Sequence, residues 1–371
     1  MTLQMEVAAT DGGARTGTVT TARGSFRTPC FMPVGTRGAV RTLSSADLES
    51  LGAELVLANT YHLMLRPGAD VVAGLGGLHG FMAWDRHVLT DSGGYQVFSL
   101  SPHVDDDGVT FRSTYDGTSH RLTPEGAVAV QEQLGADIQM ALDVCPPLPS
   151  PPEVLRTAVE RTAAWGARAR RAHRREGQAL FGIVQGGVDP ALRAESAVRT
   201  VEIGFDGYGI GGLSVGESRS EMLDALDACV ERLPADRPRY LMGVGDPVGL
   251  AEAVARGVDL FDCVLPTRLG RHGTVLTSAG RLSLRSAACR EDAGPLDPSC
   301  SCPVCGRWSR GYLRHLQVVG EPAAARLVTI HNLSWILALV ERLRAAVATG
   351  TLATLRAELA DVWCQDEKGP R

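Results

Sequence analysis

Short apolar runs of strand length alternate with helical stretches about seven times between residues 54 and 262. Each run ends in polar or glycine-rich residues, and a helix start follows. Such alternation indicates parallel βαβ units, which a doubly wound sheet or a closed eight-stranded barrel would both satisfy. Polar or glycine-rich residues follow nearly every strand rather than two or three of them, which favours an α/β fold of the TIM (β/α)8 barrel type.

The residues that end these runs carry chemically useful groups. In a barrel the C-terminal ends of the strands converge on one opening, so these residues would face one pocket. They are Asp91, Asp143, Gln185, Gly212 and Asp262. Each alone has a plainer interpretation: an aspartate that caps a turn or helix, a polar loop residue, or a phosphate-binding glycine loop. Their repetition at successive strand ends favours a shared catalytic pocket.

Asp262 follows the apolar run 257–261 and precedes Pro266-Thr267-Arg268, which is predicted to turn the chain and bring a cation close by. Three other stretches frame the repeats. Residues 1–35 carry β-like runs that predict a small antiparallel cover, and residues 104–121 predict a hairpin inserted after a strand. A terminal helix is predicted at 335–360.

Composition excludes some classes of protein. The 371 residues carry a formal net charge of −5, so no global basic character indicates a nucleic-acid binder. No apolar run approaches the roughly 18–20 residues that span a bilayer, and no secretory signal is visible at the N-terminus. We therefore expect a cytoplasmic protein without membrane contact.

Three of the nine cysteines, Cys300, Cys302 and Cys305, lie within six residues, and His331 follows. Three thiolates and one imidazole form a common tetrahedral set for structural zinc. His315 is an alternative fourth ligand, and a free cysteine cluster or a redox site is the alternative to a metal. Because no coordination position stays open, we expect one structural Zn²⁺ per chain.

Several long motifs resemble the bacterial tRNA-guanine transglycosylases, in order and over nearly the whole chain. Besides the cysteine cluster, the stretches that carry the resemblance are residues 59–63, 65–68, 90–98, 183–187, 211–217, 242–245 and 261–268. The resemblance implies a TIM barrel with a zinc subdomain. It also implies exchange of the wobble guanine of tRNAs with a GUN-type anticodon for a 7-deazaguanine, and a homodimer.

By resemblance Asp262 is a nucleophile that forms a covalent ribosyl intermediate, and Asp91 is the proton shuttle. Asp143 suits the N–H donors of guanine, while the Gln185 amide and the Gly212 backbone N–H suit O6. The remaining residues expected to bind the base are Ser92, Gly93, Gly94, Tyr95 and Leu213. Cys145 and Val215 suggest 7-aminomethyl-7-deazaguanine rather than a bulkier base.

Two segments look like the RNA-contacting segments of the family. Their residues are Gly243, Val244, Gly245, Asp246, Pro247, Val248, Gly249, Thr267, Arg268, Leu269, Gly270 and Arg271. Leu269 and His272 stand where the family usually has asparagines, and Val144 stands where it usually has glutamate. Leu269 and His272 would change hydrogen bonding to the bases beside the wobble position, but they would not change the base-exchange reaction.

These observations predict a barrel with its N-terminal cover at 1–271, a zinc-binding subdomain at 272–335 and a C-terminal helical segment at 336–371 that packs on the barrel. Two other functions stay open. A TIM-barrel hydrolase or aldolase acting on a small sugar phosphate would work without RNA. An inactive RNA-binding paralogue would pair with a catalytic subunit, although the presence of both Asp91 and Asp262 argues against it.

Overall fold

The computed structural model describes residues 3–363, which contain sixteen strands and fourteen α-helices. The strands are β1 (Leu3–Asp11), β2 (Ala14–Thr21), β3 (Gly24–Thr28), β4 (Cys30–Gly35), β5 (Leu55–Ala58), β6 (His87–Thr90), β7 (His103–Val104), β8 (Val109–Arg112), β9 (Ser119–Leu122), β10 (Ile138–Met140), β11 (Ala179–Val184), β12 (Gly207–Ile210), β13 (Arg239–Leu241), β14 (Leu260–Cys263), β15 (Thr274–Thr277) and β16 (Gly280–Ser283). The helices are α1 (Ser45–Ser50), α2 (Thr60–Leu65), α3 (Ala69–Gly74), α4 (Gly77–Met82), α5 (Gly94–Phe98), α6 (Pro124–Leu134), α7 (Pro152–Ala172), α8 (Pro190–Ile203), α9 (Arg219–Val230), α10 (Pro247–Ala255), α11 (Leu265–His272), α12 (Arg310–Val319), α13 (Pro322–Thr349) and α14 (Leu352–Trp363).

Eight parallel strands close into a barrel in the order β4-β5-β6-β10-β11-β12-β13-β14, which confirms the predicted fold class. The antiparallel cover was predicted to extend to residue 35, but its assignment is wrong for residues 30–35, because β4 is the first barrel strand. All six residues of β4 are buried. A strand covered on both faces reads as a continuous apolar run, and this run was mistaken for part of a peripheral sheet.

The strands β1, β2 and β3 form an antiparallel sheet that closes the N-terminal end of the barrel. Leu3, Val19 and Phe26 from this sheet pack with the buried residues of the barrel interior. Arg15 of β2 forms a buried ion pair of 2.6 Å with Asp259, just before β14. Removal of either partner would leave a buried charge uncompensated, at a cost of about 3–5 kcal/mol. The opposite end of the barrel remains open to solvent.

The segment inserted after β6 and α5 forms a three-stranded antiparallel sheet, β7-β8-β9, where the sequence predicted a hairpin. The extra strand β7 has only two residues, His103–Val104, which is too short for a periodic pattern to reveal. The sheet places its β8–β9 turn beside α2, because the hydroxyls of Tyr61 and Thr114 lie 3.1 Å apart.

The C-terminal region differs from the prediction in two places. The chain does not turn at 266–268, because α11 begins at Leu265 directly after β14 and carries Pro266 in its first turn, where proline is compatible with a helix. The predicted terminal helix at 335–360 is two helices. The first, α13, starts with Pro322 and ends where Gly350 adopts a left-handed conformation (φ 68°); α14 follows.

Within the described residues, α13 is the one helix long and apolar enough to cross a membrane by length and composition. Its most apolar window has a mean hydropathy of 1.5, but 67% of that window is buried inside the protein. Since charged residues interrupt this helix, the sequence showed no unbroken apolar run there. The division into segments at 271 and 335 stays a prediction. The second boundary lies within α13, and residues 364–371 lie outside the described residues.

Candidate active site and metal centre

A cavity of about 580 Å³ opens at the C-terminal end of the barrel. Three carboxylates line it, and they come from three separate strands: Asp91 follows β6, Asp143 follows β10, and Asp262 lies in β14. Closure of the barrel thus brings together side chains up to 171 residues apart in the chain (262 − 91). Gln185, Gly212 and Leu213 line the same cavity, as the sequence predicted.

Asp262 is held by donors from the neighbouring strand. Its Oδ1 accepts a hydrogen bond of 2.7 Å from the Tyr240 hydroxyl and one of 2.8 Å from the Gly243 backbone N–H. No residue within 3–363 donates to Oδ2. Burial raises the pKa of Asp262 above its usual value, and the two hydrogen bonds oppose that rise. One oxygen is therefore fixed while the other is left to face the cavity.

Asp91 accepts hydrogen bonds at both oxygens. Asn59 Nδ2 donates to Oδ2 at 2.6 Å, while the backbone N–H groups of Thr60 and Gly93 donate to Oδ1 at 2.8 and 3.1 Å. Burial is the main cause that raises the pKa of Asp91 to about 7, and the nearby charge of Asp262 adds to it. A carboxyl group with this pKa can exchange a proton near neutral pH.

Asp143 is linked to two other predicted site residues. Gln185 Nε2 donates to its Oδ2 at 2.6 Å, and Ser92 Oγ lies 3.5 Å from its Oδ1. Burial raises the pKa of Asp143 to about 6, while these hydrogen bonds oppose the rise. An ionised carboxylate has about four acceptor positions. Acceptor capacity therefore remains for a ligand with N–H groups.

Two glycines allow the backbone to pass close to these side chains. A Cβ atom on Gly212, which has φ +66°, would lie 2.3 Å from Gln185 Oε1. A Cβ atom on Gly94 would lie 3.1 Å from Asp143 Oδ1. The neighbouring Tyr95 is 61% exposed at the mouth of the cavity, so its ring is accessible to a ligand.

The two segments predicted to contact RNA are only partly accessible. Four of their residues line the cavity: Gly243, Gly245, Asp246 and Arg268. Besides Gly245, six further residues are buried: Val244, Pro247, Val248, Gly249, Thr267 and Gly270. Leu269 is half-buried against the hydrophobic core, and Arg271 is half-buried. The buried residues shape the two loops without presenting side chains at the surface.

The sequence analysis did not assign three residues that hold the site together. Besides Asn59 and Tyr240, Arg193 of α8 is fully buried, and it donates 2.7 Å hydrogen bonds to the carbonyls of Gly187 and Gly211. Arginine in the first turn of a helix is unfavourable for the helix dipole, which was a sequence signal for Arg193. The Tyr240 hydroxyl gave a second signal, since a buried hydroxyl needs a partner.

The four predicted metal ligands come together in the described structure. One ligand atom each from Cys300, Cys302, Cys305 and His331 lies within 4.8 Å of the others, so this group could hold a metal ion. The Nδ1 atom of His331 lies 3.4 Å from Cys302 Sγ and 3.2 Å from Cys305 Sγ. His315, the alternative ligand, is exposed on α12 and outside the group.

The environment of His331 fits metal binding. Its Nε2–H donates to the Leu276 carbonyl at 2.8 Å, which leaves the Nδ1 lone pair directed at the sulfurs. Hydrogen bonds from Cys300 and Cys305 lower the pKa of Cys302, which favours the thiolate form that binds metals. In a tetrahedral zinc site the ligand atoms lie ~3.8 Å apart, so the observed spacing requires little rearrangement.

Comparison with known proteins agrees with the motif resemblance. The family model described as queuine tRNA-ribosyltransferase matches residues 10–365. A queuine tRNA-ribosyltransferase of Moorella thermoacetica is 53% identical over 348 residues, which is 93% of each chain. That of Halothermothrix orenii is 51% identical over 347 residues, again 93% of each chain. That of Solidesulfovibrio magneticus is 50% identical over 361 residues, covering 96% of this chain and 97% of its own.

Both the match of the family model over nearly the whole chain and the identity of at least 50% to these relatives show the family. The barrel with a Cys3His group is the architecture that the motif resemblance implied. The chain therefore belongs to the queuine tRNA-ribosyltransferase family of pentosyltransferase enzymes.

Proposed function

We propose that this protein is a tRNA-guanine transglycosylase that exchanges the wobble guanine of GUN-type tRNAs for 7-aminomethyl-7-deazaguanine. The observation that carries the proposal is the convergence of Asp91, Asp143 and Asp262 on one cavity. A base exchange needs a nucleophile, a proton shuttle and a group that recognises the purine. Each of the three carboxylates has surroundings that suit one of these roles.

Asp262 is the proposed nucleophile. Base exchange with retained stereochemistry requires two displacements at the same ribose carbon, and a carboxylate can hold the ribose between them. Oδ2 attacks the anomeric carbon, the N-glycosidic bond breaks, and guanine leaves with the bonding electron pair. The hydrogen bonds from Tyr240 and Gly243 to Oδ1 support the ionised form that this attack requires.

Asp91 is the proposed proton shuttle. Its pKa of about 7 lets it donate a proton to the departing guanine and then accept one from the incoming base. The second displacement reverses the first: the new base attacks the ribose carbon, and the Asp262 ester bond breaks. The proton that Asp91 gives to the departing guanine is thus replaced by the proton that it takes from the incoming base, and Asp262 is released unchanged.

Asp143 and Gln185 are the proposed recognition pair for the base. Asp143 retains acceptor positions for the N1–H and 2-amino groups of guanine. Gln185 uses one N–H in its bond to Asp143, so its second N–H can donate to O6, together with the Gly212 backbone N–H. Ser92, Gly93, Gly94 and Leu213 complete the walls, and Tyr95 stacks on the extruded base.

The choice of 7-aminomethyl-7-deazaguanine rests on Cys145 and Val215, which both line the cavity. The RNA partner is proposed to lie across the rim, where Arg268 lines the cavity and Arg271 is half-buried nearby. Leu269 packs against the core, so it contributes no hydrogen bond to a neighbouring base. A homodimer and a cytoplasmic location are further proposals that follow from the family.

Zinc is the proposed ion of the Cys3His group. Three thiolates and one imidazole are typical of tetrahedral structural zinc, and they leave no position for a substrate. Bound zinc would tie the segment around Cys300–Cys305 to α13 through His331. It is therefore proposed to stabilise the fold and to take no part in base exchange.

Incorporation of radiolabelled guanine into tRNA tests the proposal. We expect the purified protein to label a tRNA with a GUN-type anticodon, and we expect excess 7-aminomethyl-7-deazaguanine to displace the label. A tRNA with another wobble base serves as the control. Absence of incorporation, or turnover of a sugar phosphate without RNA, would contradict the proposal. Three carboxylates in the cavity already oppose an anionic substrate of that kind.

A further inference from the structure

A compact group of side chains lies at one side of the cavity rim, and we call it the arginine–tyrosine platform. It consists of Arg37, Arg66, Tyr115 and His62. The guanidinium carbon of Arg66 lies 4.6 Å from the centroid of the Tyr115 ring, and that of Arg37 lies 5.4 Å away. The Tyr115 hydroxyl lies 2.8 Å from His62 Nδ1. Cation–π contacts and one hydrogen bond thus orient the whole group.

The platform adjoins the cavity that holds the three carboxylates. His62 lines that cavity, and so does Thr36, the residue before Arg37. The members come from three consecutive barrel units: Arg37 follows β4, His62 and Arg66 follow β5, and Tyr115 lies in the sheet inserted after β6. Three connections therefore contribute to one surface at the mouth, on the side where Asp91 is held.

The two arginines of the platform have charge available for a partner. Both are exposed, and across residues 3–363 neither forms an ion pair with a carboxylate. Other exposed arginines, such as Arg121, are neutralised by an aspartate at 2.8 Å. Arg66 Nη2 donates a 3.5 Å hydrogen bond to the Tyr115 carbonyl, but each guanidinium still has N–H donors that can form a fork to a phosphate.

The platform continues a positive arc around the rim. Arg41 and Arg268 lie close enough to Arg271 to help lower its pKa, although burial is the larger cause. Arg41 precedes α1 in the loop after β4, the loop that also carries Arg37. The arc therefore runs from α11, beside Asp262, across the loop after β4 to the platform. A nucleotide extruded into the cavity is joined to RNA on both its 5′ and 3′ sides. Both flanking strands must therefore lie on the protein surface at the rim.

We propose that the arginine–tyrosine platform binds backbone phosphates of the single-stranded RNA next to the exchanged nucleotide, on the side away from α11. This inference rests on the proposed function, because it takes tRNA as the macromolecule over the cavity. The ligand is the phosphodiester, since the four platform residues include two exposed guanidinium groups and no carboxylate. Tyr115 is a positioning residue that holds both cations in place.

Steady-state kinetics of guanine exchange test the platform with the doubly substituted variant R37A/R66A. We expect its KM for tRNA to rise about ten-fold or more while kcat stays within about two-fold. We also expect the slope of log affinity against log salt to fall by about 1.4, which is about 0.7 for each lost contact to single-stranded RNA. An unchanged KM and an unchanged slope would overturn the proposal.

The matched control is R171A. Arg171 is exposed at the C-terminal end of α7, which lies at the closed end of the barrel near the start of β11. We expect R171A to keep the wild-type KM and salt slope. An equal loss in R171A and R37A/R66A would mean that only net charge matters, and it would overturn the platform as a site.

Substitutions of Tyr115 test the orienting role. Y115F keeps the ring beneath the cations, so we expect near wild-type KM, whereas Y115A is expected to raise the KM for tRNA several-fold. A Y115A variant with wild-type KM would overturn the role of the ring.

Failure of the proposed function is distinguishable, since fluorescence anisotropy with a labelled anticodon stem-loop reports binding without catalysis. The platform is supported if this binding is salt-sensitive, is weaker in R37A/R66A, and is not displaced by inorganic phosphate at equal concentration. This result would support the platform even if no guanine is exchanged. Equal displacement by inorganic phosphate would show a free-anion site and overturn RNA binding there.

Discussion

The carboxylate cavity and the Cys3His group are both polar centres of this protein, but they are assembled differently. Three metal ligands lie within six residues, and the fourth lies on one helix that passes beside them. The carboxylates come from the neighbouring strands β6 and β10 and from β14, which are far apart in the chain. A bound divalent ion would offset most of the thiolate charge of the metal group, whereas the cavity keeps carboxyl groups with raised pKa values close together. The first arrangement favours stability and the second favours reactivity.

The largest expected effect is a loss of activity without a loss of stability, on substitution of Asp262 in the carboxylate cavity. Asp262→Asn keeps the size of the side chain but removes the proposed nucleophile, so we expect guanine exchange to fall by about 10⁴-fold or more with little change in stability. Radiolabelled guanine incorporation and thermal unfolding measure the two properties. Asp85→Asn, at an exposed aspartate, is the control. Exchange at more than a tenth of the wild-type rate would refute the proposed role.

The reverse behaviour is expected at the metal group. Cys302→Ser should remove bound zinc and lower the free energy of unfolding by about 3 kcal/mol or more, because metal binding is coupled to folding. The activity of the remaining folded fraction should stay near the wild-type value. Metal analysis together with chemical denaturation measures this. Cys229→Ala, at a buried thiol outside the group, is the control and should cost about 1 kcal/mol. A stable, zinc-free Cys302 variant would contradict the structural role.

The raised pKa of Asp91 predicts that its contribution to stability falls as pH rises, which is opposite to metal binding by thiolates. Its folded-state pKa of about 7 exceeds the unfolded value near 4, so its contribution to stability is complete below about pH 4 and is lost as pH rises to about 7. The free energy of unfolding of the wild-type protein should therefore fall by a few kcal/mol over this pH range. Asp91→Asn should abolish this decrease. Thermal unfolding of both proteins from pH 5 to pH 8 tests the sign. A variant that gains no stability relative to wild type as pH rises would contradict it.

The smallest expected effect concerns the support of the nucleophile. Tyr240→Phe removes the hydrogen bond to Asp262 Oδ1, so the pKa of Asp262 should rise further and kcat should fall about ten-fold. The acidic limb of the pH–rate profile should shift to higher pH. Tyr208→Phe removes a hydroxyl from the adjacent strand β12, outside the cavity, and should leave the profile unchanged. An identical profile for Tyr240→Phe would remove Tyr240 from the positioning of Asp262.

The same contrast explains which parts of the fold and of the two centres could be predicted from the sequence. The metal group was predictable residue by residue, because Cys300, Cys302 and Cys305 are close in the chain. The barrel was predictable from its repeated pattern, but β4 was misassigned, since a strand buried on both faces shows no alternation. The sequence singled out Arg193 and Tyr240 only by general signals and did not show which groups Asn59, Tyr240 and Arg193 would support, because those contacts depend on which side chains meet across strands. The platform around Tyr115 depends on three separate connections and has no local signature.

Identification of the residue that carries ribose during exchange tests the central claim most directly. An exchange reaction is quenched by denaturation, the RNA is digested with nuclease, and the protein is digested and analysed by mass spectrometry. The account predicts a ribosyl adduct on the peptide that contains Asp262, and its absence in Asp262→Asn. An adduct on Asp91 or Asp143, or an active enzyme that never carries an adduct, would contradict the account.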